Sequence, residues 1–263
     1  MNFDFGMPTL IETDELSDCA VLCAELGLQF IELNMNLPKY QLDKIDVLVF
    51  KKIMKKYGIY YTVHLDENLN VSDFNPYIAE GYCRTVYETI MFAREIGTPV
   101  FNMHLSQGVY FTMPDKKVYL FDEYKDRYLR SISQFRDKCK EIIGKSNIKI
   151  CVENSSGYKD FQIDALDILL KSPVFGLTFD IGHNNGIGGT DEAVIMARKD
   201  KLFHMHIHDS TGKRDHLALG TGELELRKYL SLAKETNSRV VLETKTVAAL
   251  KESVRWVKEE YIK

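Results

Sequence analysis

Along the chain, hydrophobic and polar positions alternate between two patterns from end to end. Short runs rich in β-branched and aromatic residues predict strands: "FDFGM" (3–7), "FIELNM" (30–35), "YYTVHL" (60–65), "PVFNMHL" (99–105), "IKICVEN" (148–154), "FGLTFDI" (175–181), "LFHMHIHD" (202–209) and "RVVLET" (239–244). Between them, apolar residues recur at helical spacing near 13–26, 41–57, 76–97, 122–144, 162–171, 190–200, 224–236 and 246–260. In "ELGLQF", "KKYGIYY" and "REIGTPVF" a glycine closes the helical pattern just ahead of a strand. Eight strand–helix units in 263 residues predict an α/β fold, a single-domain (β/α)8 TIM barrel over 1–263, ahead of a doubly wound open sheet. The long interruption is "SQGVYFTMPDKKVYLF" (106–121), an aromatic-rich insertion after the fourth strand. It is placed to roof the barrel mouth or to pack against a neighbour. The glycine-rich "NNGIGGTD" (184–191) reads as a flexible loop that Thr190 caps into the next helix.

Composition narrows the class without naming a chemistry. The chain is 45% hydrophobic and 27% charged, as globular domains are. No apolar run approaches the length of about 18 residues that spans a bilayer, and the start "MNFDFGMPTL" has neither a basic nor an apolar leader segment. No membrane association is expected. Cys19, Cys23, Cys83, Cys139 and Cys151 are odd in number and lack paired zinc spacing, which predicts a reduced, cytoplasmic protein. A net charge of −4 leaves no electrostatic footprint for nucleic acid. The densest basic cluster, "KKIMKKYG", has helical spacing and reads as a solvated helix face.

The candidate chemistry lies in "KLFHMHIHDS" (201–210), where His204, His206 and His208 occupy alternate positions. On a strand, alternate residues share a face. Phe203, Met205 and Ile207 belong against the outer helices, so the histidines point into the barrel. Other strands read the same way. Glu153, Asp180 and Glu243 stand at the inward tips of strands five, six and eight, and His64 and His104 end strands three and four. Glu32 points inward near the end of strand two, and His183 lies just beyond Asp180. Buried carboxylates repel one another and lose hydration, so a ring of them at one rim calls for a cation.

The tips "CVEN", "FDIGH", "HMHIHD" and "LET", in that order, resemble the xylose-isomerase-like barrel superfamily. That group contains sugar isomerases and epimerases, inosose dehydratases and the endonuclease IV group. The resemblance covers nearly the whole chain. It implies one divalent ion (Mn, Mg, Co or Zn) held by Glu153, Asp180, His206 and Glu243, with Glu153 and Glu243 as the catalytic acid–base pair. His206 is then the metal-binding histidine of the three, with His208 at the rim and His204 filling the barrel. It further implies His64, His104, His183, Arg214 and His216 as substrate contacts; Lys245 reads as a solvated helix start. The implied activity is isomerisation or epimerisation of a small carbohydrate or its phosphate through a metal-stabilised enediolate, with dehydration as a variant. Relatives are often dimers or tetramers, so a homo-oligomer is among the expectations.

The alternative is an endonuclease-IV-like zinc phosphodiesterase acting on DNA. That group's loop after strand seven reads Asp-Arg-His, whereas this chain has "RDH". Arg214 is thereby expected to stand where a third zinc needs a carboxylate, which favours the isomerase class.

Overall fold

The computed structural model describes residues 3–261. Eight parallel strands close into a barrel: β1 (Phe5–Pro8), β2 (Phe30–Asn34), β3 (Tyr60–His64), β4 (Val100–His104), β5 (Lys149–Glu153), β6 (Phe175–Asp180), β7 (Leu202–Ile207) and β8 (Arg239–Leu242). Each pairs with its predecessor in the chain, and β8 closes on β1 with Val240 opposite Phe5. The strand-and-helix alternation in the sequence is therefore that of a single-domain (β/α)8 barrel.

Alternation sorts the residues of each strand. Ile31, Leu33, Tyr61, Val63, Phe101, Met103, Ile150, Val152, Phe179, Met205, Ile207 and Leu242 turn outward into one apolar core with helix residues such as Ile90, Phe135, Leu166 and Leu250. Burying each such side chain stabilises the fold by about 1.5–3 kcal/mol. A one-residue slip would turn these residues to the axis and the histidines to the helices. The outer face therefore fixes the register, and the register aims the ionisable residues inward.

The N-terminal end of the barrel is plugged. Tyr60 donates to Asp4 (2.7 Å), Arg239 donates to the Tyr60 hydroxyl (3.1 Å), and Phe30 stacks on Tyr60 with ring centres 5.2 Å apart. A Cβ on Gly6 would stand 2.4 Å from the Phe30 ring, so only glycine fits there. The ionisable layer above this plug faces the C-terminal mouth alone.

Helix boundaries differ from the expected ones where caps decide. The pattern over 41–57 becomes a 3-10 turn (Pro38–Tyr40) and a helix only from Val47, because the Asp46 carboxylate accepts the amides of Leu48 and Val49. The pattern over 190–200 is a helix over Thr190–Met196 and a 3-10 turn over Lys199–Lys201. "NNGIGGTD" is not a loop capped by Thr190. A short helix (Ile181–Gly186) occupies its first half, and Asn184 Oδ1 accepts the amides of Asp191 and Glu192 to start the next helix. In the insertion, Tyr110–Thr112 and Lys117–Tyr119 form a hairpin. Gln107 ties it to Ser156 and Gly157, Phe121 stacks on Tyr128, and Val109, Phe111 and Met113 stay exposed. The basic cluster is a solvated helix face, with Lys51, Lys52, Lys55 and Lys56 exposed. All five cysteines are unpaired. Among the described residues, no helix is long and apolar enough to cross a membrane.

Candidate metal centre

Four strand tips converge at the mouth. Glu153 ends β5 and Asp180 ends β6; His206 sits opposite Asp180 on β7, and Glu243 follows the last residue of β8. His206 Nδ1 lies 3.2 Å from Glu153 Oε1, 3.2 Å from Glu243 Oε2 and 3.8 Å from Asp180 Oδ2. One ligand atom from each of these four residues falls within 4.8 Å of the others, and all four residues are buried. Glu153 Oε1, His206 Nδ1 and Glu243 Oε2 have no hydrogen-bond partner. Buried polar atoms are rarely left so, and three facing one point leave a position suited to a cation. Three carboxylates and one imidazole match a divalent ion. These are the four residues that the sequence resemblance singles out.

Around them stands a supporting layer. Glu153 Oε2 accepts from Asn102 Nδ2 and lies 3.2 Å from His104 Nε2 and 3.5 Å from His64 Nε2. His64 is held in turn by donation from Nδ1 to the Leu65 carbonyl at 2.8 Å. Asn154 clasps the Asp180 backbone in both directions, at 2.9 Å each, joining the tips of β5 and β6. Asn102 and Asn154 are invisible to a search for ionisable strand tips, because amides carry no charge to explain.

His208 corrects the expected placement. It is fully buried rather than at the rim. β7 ends at Ile207, so alternation no longer governs the next residue. His208 Nδ1 accepts the His216 amide at 2.7 Å, leaving Nε2–H to donate to both Asp180 oxygens at 3.1 Å. This ring position depends on Gly182, where a Cβ would stand 2.0 Å from His208 Cε1. Gly182→Ala is expected to push the ring off Asp180, destabilise the fold by about 1–3 kcal/mol through overpacking and weaken cation binding. Urea unfolding and calorimetric metal titration of the variant check both; an unchanged pair of values would dismiss this role for Gly182.

The loop after β7 also differs from expectation. Arg214 is exposed, and none of the described hydrogen bonds or ion pairs joins it to the site. Asp215 reaches the histidines instead, with Oδ2 3.9 Å from His183 Nε2 and Oδ1 3.9 Å from His216 Nε2. His183, Asp215 and His216 form a further cluster of ligand atoms within 4.8 Å, as do His64, His104 and Glu153. Arg214 therefore does not displace the carboxylate: Asp215, though exposed, is the residue of this hairpin that approaches the histidines. His216 Nδ1 donates to the Glu243 carbonyl at 3.1 Å. Lys245, expected as a solvated helix start, puts Nζ 3.0 Å from Glu243 Oε1.

Burial opposes charge at each group, and mutual contacts overcome it. Against burial, His206 and His104 hold the Glu153 carboxyl well below the usual range, and His206 with Lys245 does the same to Glu243. Against burial, Glu153, Glu243 and Glu32 push the His206 imidazole well above its usual value. Asp180 and Glu153 likewise push His183 up to about 10. At His204 burial wins over Glu32 and lowers the value. Carboxylates kept ionised while imidazoles gather protons form a pocket in which a divalent cation, if bound, would compete with those protons.

Residues 20–260 match the family described as "Xylose isomerase-like TIM barrel". The chain is 24% identical over 252 residues to the uncharacterised protein MJ1614 of Methanocaldococcus jannaschii, covering 92% of each. Among solved structures, a D-tagatose 3-epimerase-like protein superposes with a TM-score of 0.78 at 22% identity, covering 99% of this chain and 97% of that one. The IOLI protein, solved with a bound zinc atom, superposes with a TM-score of 0.71 at 14% identity, covering 98% and 96%. Sugar epimerases recur among the solved neighbours.

Proposed function

The chain belongs to the xylose isomerase-like TIM barrel family, and from that premise we propose that it is a divalent-metal-dependent isomerase or epimerase of a small sugar or sugar phosphate. The observation that carries this reading is the pair Glu153 Oε1 and Glu243 Oε2. Both are buried, lack a hydrogen-bond partner and lie 3.2 Å from the same imidazole nitrogen. Glu153, Asp180, His206 and Glu243 would hold the ion, which when bound supplies positive charge that acidifies a proton next to a carbonyl.

The chain's own groups do the rest. One carboxylate removes the proton, and the other, from a strand three places further round the barrel, returns one to the carbon's other face. Their second oxygens are tied back, Glu153 Oε2 by Asn102 and His104 and Glu243 Oε1 by Lys245. The free oxygens therefore stay turned to the substrate. His183 Nδ1, buried and without a partner, faces the same space as a donor to a substrate oxygen. His216 stands beside it, and Arg214 supplies a cation further out. Unpaired cysteines support a reducing, cytoplasmic setting.

One observation favours a second reading, a multinuclear zinc phosphodiesterase. The clusters His64–His104–Glu153 and His183–Asp215–His216 have the ligand types of two further zinc sites. Elemental analysis of protein purified without chelator, followed by a ketose and ketose-phosphate panel, tests both. About one ion per chain and turnover of a sugar support the isomerase. Three zinc ions with cleavage of abasic-site DNA and no sugar turnover would replace it by the nuclease.

A further inference from the structure

Beneath the four ligands lies a carboxylate that the proposed chemistry does not use. Glu32, on β2, is 2% exposed and reaches across the barrel to β7. Its Oε2 accepts from Thr62 Oγ1 at 2.9 Å and from His204 Nε2 at 2.7 Å, and its Oε1 lies 2.8 Å from His206 Nε2. Among the described ion pairs, neither lysine nor arginine faces it; its partners are these two imidazoles. A carboxylate so deeply buried loses its hydration, and no described lysine or arginine compensates it, so its placement calls for a function.

We propose that Glu32 is a positioning residue of the metal centre, holding the proton of His206 on Nε2 so that the Nδ1 lone pair is free for the cation. The inference rests on the metal-dependent reading above. A neutral imidazole carries one proton, and the partner at each nitrogen decides where it sits. At His206, Nδ1 faces Glu153 and Glu243, while Nε2 faces Glu32. His204 serves the same arrangement: its ring spends Nε2–H on Glu32 Oε2, which with Thr62 leaves Oε1 for His206. Glu32, His204 and His206 could be taken for a metal site of their own. At 2.7 Å His204 is hydrogen-bonded to Glu32, and at 2.8 Å His206 Nε2 is in close carboxylate–imidazole contact with it, outside hydrogen-bond alignment; ligands about 2.1 Å from a common tetrahedral ion stand farther apart than this.

The test titrates MnCl2 and ZnCl2 calorimetrically into chelator-stripped wild type and Glu32→Gln, with folding checked by circular dichroism. Glu32→Gln is expected to bind the same number of ions with Kd raised about 10–100-fold. An equal Kd in the two proteins would overturn the inference and leave the metal reading standing. Loss of a whole equivalent of metal in the variant would also overturn it, since Glu32 would then be a ligand. Wild type that takes up no ion would end both. Nitrogen-15 spectra of zinc-loaded wild type decide independently of any variant's folding. The proton of His206 is expected on Nε2, and a ring protonated on Nδ1 overturns the proposal.

Discussion

Glu153→Gln is expected to fold as the wild type does and to lose turnover by about 10²–10⁴-fold, the range that a positioned proton-transfer group contributes. The amide keeps the shape of the carboxyl and can still meet Asn102 and His104, which surround Oε2. It cannot take a proton from carbon, and it removes one of the charges that face His206 Nδ1. Glu243→Gln should fail as severely, since its Oε2 is the matching free oxygen. The two failures are separable by running the substrate in D2O. Wild type should incorporate deuterium at the carbon next to the carbonyl. The variant that lacks the base for a given face should lose exchange from substrate of that configuration. Wild-type turnover in either variant would remove that carboxylate from the chemistry.

Stripping the ion is expected to abolish turnover and to lower the thermal midpoint. Glu32, Glu153, Asp180 and Glu243 are buried within one barrel mouth, where burial raises the cost of each charge. A ligand that binds only the folded chain stabilises it by about 2.7 kcal/mol at 100 times Kd and about 4.1 kcal/mol at 1,000 times Kd. For a chain of this size each kcal/mol moves the midpoint by about 2–4 °C, so the expected shift is roughly 5–16 °C. Scanning calorimetry with and without EDTA, then with MnCl2 restored, measures it. An unchanged midpoint together with unchanged turnover in EDTA would leave the site without a metal role.

The four tips were legible because each ends a strand whose outward neighbours are apolar. Ile150 and Val152 flank the approach to Glu153, and Met205 and Ile207 flank His206, so two-residue alternation aims all four without any knowledge of distance. Where strands stop, that argument stops. His208 lies one residue past β7 and turns to Asp180, while the exposed Asp215 is brought within 3.9 Å of His183 and His216 by a hairpin that no side-chain pattern announces. The short helix after Asp180 escaped for a related reason. It is started by the Asp180 carboxylate accepting the His183 amide, in a glycine- and asparagine-rich stretch with no helical pattern.

By itself, then, the sequence determined the barrel and the inward placement of Glu153, Asp180, His206 and Glu243, because both follow from local periodicity; the ligand role proposed for these four came from the resemblance of their strand tips. Only the tertiary structure decided what holds those four residues. Glu32 meets His204 across 172 positions of chain, and Asn102 meets Glu153 across 51. Such pairings are set by barrel closure and by the direction each side chain takes once the barrel is closed. Neither quantity is written in the spacing of apolar residues along a single strand.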